Sequence, residues 1–126
     1  MANIFEIDMT LKDIDANPRQ HNQRDWARRL TDDAGEVCGT AMCAAGFTVV
    51  RHGYKFMFYD QGSATHCRAA DGTVERISVV AGRILDLSAD QAAKFFAQRN
   101  SRLGLKRLRD QFAQEELREH VKDERN

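Results

Sequence analysis

The chain reads as a single α+β domain, mainly helical, with a small antiparallel β-hairpin sheet. Three observations point there. The run from Thr40 to His52 places apolar residues at helical spacing, and a second such pattern opens at Ile77. Ser88-Ala89-Asp90-Gln91 has the form of a capping box at the head of a further helix. Between the helical stretches, Asp71-Gly72 separates two short strand-like runs, a strong hairpin signal. At 126 residues the sequence is sized for one domain spanning 1–126, long enough to bury a core without metals or disulfides. Hydrophobic residues at 42% and charged residues at 30% are ordinary globular values, which argues against wholesale disorder.

In chain order, residues 2–9 alternate loosely with Phe5, Ile7 and Met9 on one side, which predicts an edge strand or extended arm. Thr10 is then the N-cap of a short helix over Leu11–Ala16, ended ahead of Pro18. His21 to Leu30 reads as a short helix or turn that lays Trp26 on the core, with Trp26 and Leu30 at i, i+4, and Thr31 to Gly35 as a loop. The buried central helix is expected over Thr40–His52. There Met42, Cys43, Gly46, Phe47, Val49 and Val50 share an apolar arc, and Thr48, Arg51 and His52 lie opposite. A glycine inside a helix costs about 1 kcal/mol relative to alanine, so Gly46 implies that another backbone comes close there.

Gly53 is placed to terminate that helix in a left-handed conformation. Tyr54–Tyr59 predicts a strand with Tyr54, Phe56 and Phe58 inward and Met57 and Tyr59 outward. Residues Asp60 to Ser63 predict a turn, and Thr65–Ala70 with Thr73–Ile77 the hairpin. Ile77, Val80, Ala81 and Ile84 mark a helix, Leu85 to Ser88 a tight corner, and Ala92, Phe95 and Phe96 the next helix. Asn100-Ser101 caps a last helix over Leu105–Lys122, with residues 122–126 as a flexible, frayed tail. On that helix Leu105, Leu108 and Phe112 face one way. Leu117 and Val121 face another, which makes them a candidate partner or self-association surface.

Few residues assemble into a chemical motif. Cys38 and Cys43 have the wide end of zinc-ligand spacing, and His52, His66 and Cys67 complete a tetrahedral set on paper, but no second close cysteine pair accompanies them. Cys43 on an apolar arc reads instead as a small hydrophobe. Cys38, ahead of the expected helix start, is a candidate nucleophile with a dipole-lowered pKa and His21 as its base, but no third orienting group is evident. Capping and packing account for Cys38 and Thr40 more simply. Arg24, Arg28 and Arg29 form a candidate phosphate contact, against the commoner reading of a solvated face. The aromatic run Tyr54–Tyr59 has the make-up of a stacking platform for single-stranded nucleic acid, with core packing the simpler role. There is no Gly-rich phosphate loop, no H-x-x-x-H and no Gly-x-Ser-x-Gly elbow, so neither a catalytic set, a metal nor a cofactor is expected.

Basic and acidic side chains balance at 19 each, which lowers the expectation of a nucleic-acid-coating protein. No apolar run approaches the roughly 20 residues of a membrane span, and the N-terminus lacks the basic region of a signal peptide. A cytoplasmic location is therefore expected, with the cysteines as thiols.

The arrangement His21-x-Gln23-x-x-Trp26, then Cys38-Gly39-Thr40-x-x-Cys43-x-Ala45-Gly46-Phe47, Asp71-Gly72, Ile84-Leu85-x-Leu87, Phe95-Phe96 and Asn100 resembles a family of small uncharacterised proteins. They occur in phages of mycobacteria and other actinobacteria and in related bacterial genomes. Members of that family often carry Leu-Gly-Leu where this chain has Leu85-Asp86-Leu87, and Trp or Phe at the Phe47 position. The resemblance brings no catalytic assignment. It implies provenance: a phage accessory protein in an infected bacterium. The expected role is a non-enzymatic interaction factor that binds a host or phage protein. The alternatives are a small nucleic-acid-binding regulator using Arg24 to Arg29 and a thiol-dependent enzyme using Cys38.

Overall fold

A computed structural model describes residues 1–31 and 37–124; the side chains at 31, 37–39 and 120–124 lie outside that description. The described residues form five helices and two three-stranded antiparallel sheets, in agreement with the expected α+β class. The order is α1 (Ile4–Ala16), β1 (Ala27–Thr31), β2 (Val37–Met42), α2 (Ala44–Arg51), β3 (Lys55–Met57), β4 (Ser63–Ala64), β5 (His66–Arg68), β6 (Val74–Arg76), α3 (Ile77–Ile84), α4 (Ala89–Phe95) and α5 (Arg102–Glu124).

The N-terminal segment is one helix, not a strand followed by a short helix. Asn3 caps it, its side chain accepting from the Glu6 amide at 3.1 Å. Ile7, Thr10, Leu11 and Ile14 are its buried stripe, at i, i+3, i+4 and i+7. Phe5, which suggested alternation, is 70% exposed. The two periods overlap over so few residues that the cap decides between them.

The expected central helix is really two elements. Val37–Met42 is a strand paired with β1, in the register Ala27↔Met42 and Arg29↔Thr40, and only Ala44–Arg51 is helical. The β-branched Thr40 favours the strand over the helix, and Cys43 is extended at the junction (φ −82°, ψ −179°). Ala27–Leu30 is correspondingly strand rather than helix or turn. β1 also pairs with β4, so the first sheet has the order β2-β1-β4. Part of the expected loop at Thr31–Gly35 lies outside the described residues; Thr31 itself ends β1.

Shortened to two turns, α2 is nevertheless the central element. All of Ala44–Val49 is buried, with α1 packed on one side and α3 on the other. The side expected to be polar faces α1. Thr48 Oγ1 donates to the Ala44 carbonyl at 2.9 Å and lies 2.8 Å from Thr10 Oγ1, both hydroxyls being fully buried. Arg51 donates to Thr10 Oγ1 at 2.8 Å and pairs with Glu6, and His52 Nε2 lies 2.9 Å from the same Glu6 carboxylate. These two partners hold the Glu6 carboxyl below its ordinary pKa, the His52 contact contributing most. Val50, expected on the apolar arc, is instead exposed.

The second sheet, β3-β5-β6, carries the hairpin. The strands are shorter than the runs that predicted them, but Phe56 and Phe58 pack on the core while Met57 and Tyr59 stay outside, as expected. Ala69 and Thr73 close the turn, Gly72 is left-handed (φ 92°) and its amide donates to the Ala69 carbonyl, so the loop has three residues rather than two. Helices α3 and α4 follow the predicted pattern, and Ser88 and Gln91 complete the capping box. Ser101 caps α5 by accepting from the Gly104 amide at 3.0 Å. Leu105 and Phe112 anchor α5 to the core, and Arg109–Asp8 and Lys106–Asp15 pairs tie it antiparallel to α1. The expected frayed tail is helical as far as Glu124.

The corner after α3 is a Schellman motif, with the Leu87 amide on the Gly82 carbonyl at 3.0 Å and the Asp86 amide on Arg83 at 3.2 Å. Its left-handed position, usually glycine, is occupied by Asp86 at φ 52°. Asp86→Gly should therefore stabilise the fold by about 0.5–1 kcal/mol, since a left-handed residue with a Cβ is strained and glycine is not. Thermal unfolding of the two proteins checks this; an unchanged or lower midpoint for Asp86→Gly would contradict it.

Candidate functional site

Part of the motif, His21 to Trp26 and Cys43 to Phe47, meets at the N-terminus of α2. Residues 20–26 wrap around it, with the Met42 amide donating to the Gln20 carbonyl (2.7 Å), the Asn22 amide to Met42 (2.8 Å) and the Cys43 amide to Asp25 (2.8 Å). At the centre of the wrap the Trp26 carbonyl meets Gly46. A Cβ added to Gly46 would lie 2.6 Å from that oxygen and 2.6 Å from the Met42 Cβ, closer than real Cβ atoms approach anything. The expectation that another backbone comes close at Gly46 is thus met, and the backbone is that of Trp26.

Gln23 makes the polar half of the same junction. It is buried, and its Nε2 donates to the Phe95 carbonyl at 3.1 Å while its Oε1 accepts from the Ala44 amide at 3.2 Å. The same Oε1 lies 2.9 Å from His21 Nε2, which makes that nitrogen the protonated one, because an amide oxygen has no proton to give. Asn100 Nδ2 also donates to the Phe95 carbonyl, at 3.1 Å, and so completes the end of α4. The rings continue the pattern: His21 stands edge-on to Phe47 at 6.2 Å and Trp26 edge-on to Phe96 at 6.0 Å. His21, Gln23, Trp26, Gly46, Phe47, Phe95, Phe96 and Asn100 form one architectural knot. Gln23 was not among the candidate site residues; a polar side chain gives no burial signal in a single sequence, and only its place in the motif marked it.

The cysteines are placed differently from the expectation. Cys38 does not precede a helix start. It is the extra residue of a β-bulge in β2, between the Leu30↔Gly39 and Thr31↔Val37 pairs, six positions before the first residue of α2, so no helix dipole acts at its backbone position. Its side chain is outside the described residues. Cys43 holds the N-cap position, fully buried, and burial pushes its thiol up to about 11 against the opposing pull of the Gly46 and Ala45 amides. Cys67 is buried in β5, its pKa also raised by burial. Both are therefore protonated and shielded at neutral pH. Among the described residues no three His, Cys, Asp or Glu side chains stand together as a metal site.

The arginine trio does not form one face. Arg28 and Arg29 are consecutive in β1 and point to opposite sides. Arg28 lies 3.4 Å from the Asp25 carboxylate, Arg29 stacks its guanidinium 4.4 Å above the Phe58 ring, and Arg24 sits exposed in the turn before the strand. Thr40 and Gly39 lie in β2, opposite Arg29 and Leu30. Leu117 is 62% exposed on α5, beside Ala113, and faces away from the core, as its spacing predicted; the side chain of Val121 lies outside the described residues.

One hollow on the surface is mainly apolar. Trp26, Ser78, Val79, Ala92, Ala93 and Phe96 line an open depression of about 380 Å³ between α3 and α4. Val79, at its rim, is 51% exposed. The helical spacing of Ile77, Val80, Ala81 and Ile84 left Val79 outside the buried stripe, and that was the available signal for it.

The junction yields a direct expectation. Gln23→Leu removes the partner of the Ala44 amide and one donor to Phe95 while keeping the volume, and should cost about 2 kcal/mol or more. Urea unfolding measures it, and a midpoint equal to wild type would show that the amide does not join the two helices.

Comparison of the chain with protein-family models, with curated proteins and with solved structures finds no match.

Proposed function

We propose that this protein is a non-enzymatic interaction factor that binds a host or phage protein in the cytoplasm of an infected bacterium. The phage setting is supported by the resemblance of the Cys38–Phe47 motif. Binding rather than catalysis is supported by where the motif's functional groups go: the amide of Gln23, the ring of His21 and the thiol of Cys43 are committed to internal contacts. The observation that carries the reading is the open hollow lined by Trp26, Val79 and Phe96, whose chemistry suits an apolar side chain of a partner. A second reading, self-association through the distal end of α5, is favoured by the exposure of Leu117.

The test is a capture experiment from nuclease-treated host lysate with wild type and Val79→Glu. Val79 is exposed, so the substitution should leave the melting temperature unchanged while removing the captured protein. The same protein retained equally by both would remove the hollow from the account. Light scattering on a chain ending at Glu115 separates the second reading: a particle mass equal to wild type dismisses it.

A further inference from the structure

We propose that the outward face of the β3-β5-β6 sheet binds single-stranded nucleic acid, a surface separate from the apolar hollow. The strand register places six side chains of that face in two rows, Lys55–Arg68–Val74 and Met57–His66–Arg76. The alternate residues Phe56, Cys67 and Glu75 lie on the other side, where Cys67 is fully buried and Phe56 packs on the core. Three permanent cations and a histidine thus share one exposed face with two half-exposed apolar residues and no acid.

The arrangement has a cost in the free protein. Lys55 sits directly opposite Arg68. Like charges facing each other across strands destabilise a sheet. Neither Lys55, Arg68 nor Arg76 pairs with an acid among the described residues, whereas several cations elsewhere do: Arg51 with Glu6, Arg109 with Asp8 and Lys106 with Asp15. The balanced charge of the whole chain conceals this segregation. The acids nearest the face are at its margins. Glu75 projects to the opposite side, where Arg83 holds it at 2.9 Å, and Asp71 at the hairpin tip turns back to accept from the Thr73 amide at 2.9 Å. Asp60 lies in the turn beyond Tyr59.

Two features favour a single nucleic-acid strand as the polyanion. Tyr59 continues the face past Met57, is 48% exposed, and reaches Thr65 with its hydroxyl at 3.2 Å; Thr65 in turn lies 2.8 Å from His66 Nδ1. This fixes two rings beside the cations, and rings beside cations accept unstacked bases next to their phosphates. At the other end, Gly53, Lys55, Arg68 and the hairpin residues Ala69 to Gly72, Asp71 among them, surround a hollow of about 400 Å³. Left-handed Gly53 and Gly72 leave it open, since a Cβ at either would meet nothing within 4 Å. An acidic protein segment would meet the cations but has no use for the rings.

The experiment is fluorescence anisotropy with a labelled dodecathymidylate, for wild type, the double variant Arg68→Glu/Arg76→Glu, Tyr59→Ala, and the control Arg24→Glu/Arg28→Glu. Circular dichroism establishes that each is folded. Wild type should bind at roughly 50 mM salt, with log affinity falling against log salt at a slope of about −2, from three phosphate contacts at about 0.7 each. The double variant should lose at least tenfold, Tyr59→Ala roughly fivefold or more, and the control less than twofold. The proposal is overturned by absent binding at low salt, by either face variant binding like wild type, by a DNA duplex of the same length binding as tightly, or by polyglutamate displacing the oligonucleotide at equal charge concentration.

Discussion

The contact between the Trp26 carbonyl and Gly46 is the constraint on which the other parts depend. It brings the chain segment ahead of β1 against the first turn of α2 at a distance that no side chain at position 46 allows. With that approach made, Ala27 enters β1 in register with Met42, the Cys43 amide reaches Asp25, and Gln23 is placed to span from Ala44 to the end of α4. α2, seated by this wrap, then offers its sides to α1 and α3. Hydrogen bonds at the wrap are individually modest, but each buried donor there would be left unsatisfied without its partner, which makes the arrangement cooperative.

This placement separates architecture from surface. The rings and amides of the motif close the junction, and what they leave outside is the edge of Trp26 and Phe96 in the hollow with Val79. The second sheet lies beyond α2 in sequence, joined to it by the left-handed Gly53, and carries its cations outward because Phe56 and Cys67 are drawn inward. Two surfaces of different chemistry thus result from one core: an apolar one beside the junction and a basic one on the small sheet.

Much of the fold was legible where local chemistry is decisive. The Ser88–Gln91 capping box, the Gly53 terminus, the helix at Ile77–Ile84 and the inward aromatics of β3 all came from residues that act on their own neighbours. The region from Thr40 to Met42 was misread because its apolar spacing suits a helix, and its actual partner, β1, is a pairing that no local pattern announces. Ala2 to Met9 failed through the overlap of two periods in a short run. Two of the candidate residues, Gly46 and Trp26, meet in a way the sequence implied only as an unnamed close backbone. Arg24, Arg28 and Arg29 looked like a cluster along the chain, but strand alternation separates them. Lys55, Arg68 and Arg76 are scattered along the chain, and only the register unites them.

The dependence on Gly46 is tested most directly by the sign of one stability change. Helix propensity alone makes Gly46→Ala stabilising by up to about 1 kcal/mol. The contact with the Trp26 carbonyl makes it destabilising, by about 1–3 kcal/mol or more for an overpacked site. Gly82 in α3 is the internal reference, because a Cβ there meets nothing within 4 Å. Thermal unfolding of the two alanine variants should show a midpoint several degrees below wild type for Gly46→Ala and one at or above wild type for Gly82→Ala. A Gly46→Ala midpoint equal to or above wild type would mean that the backbone of Trp26 does not close on α2, and the junction described here would not hold.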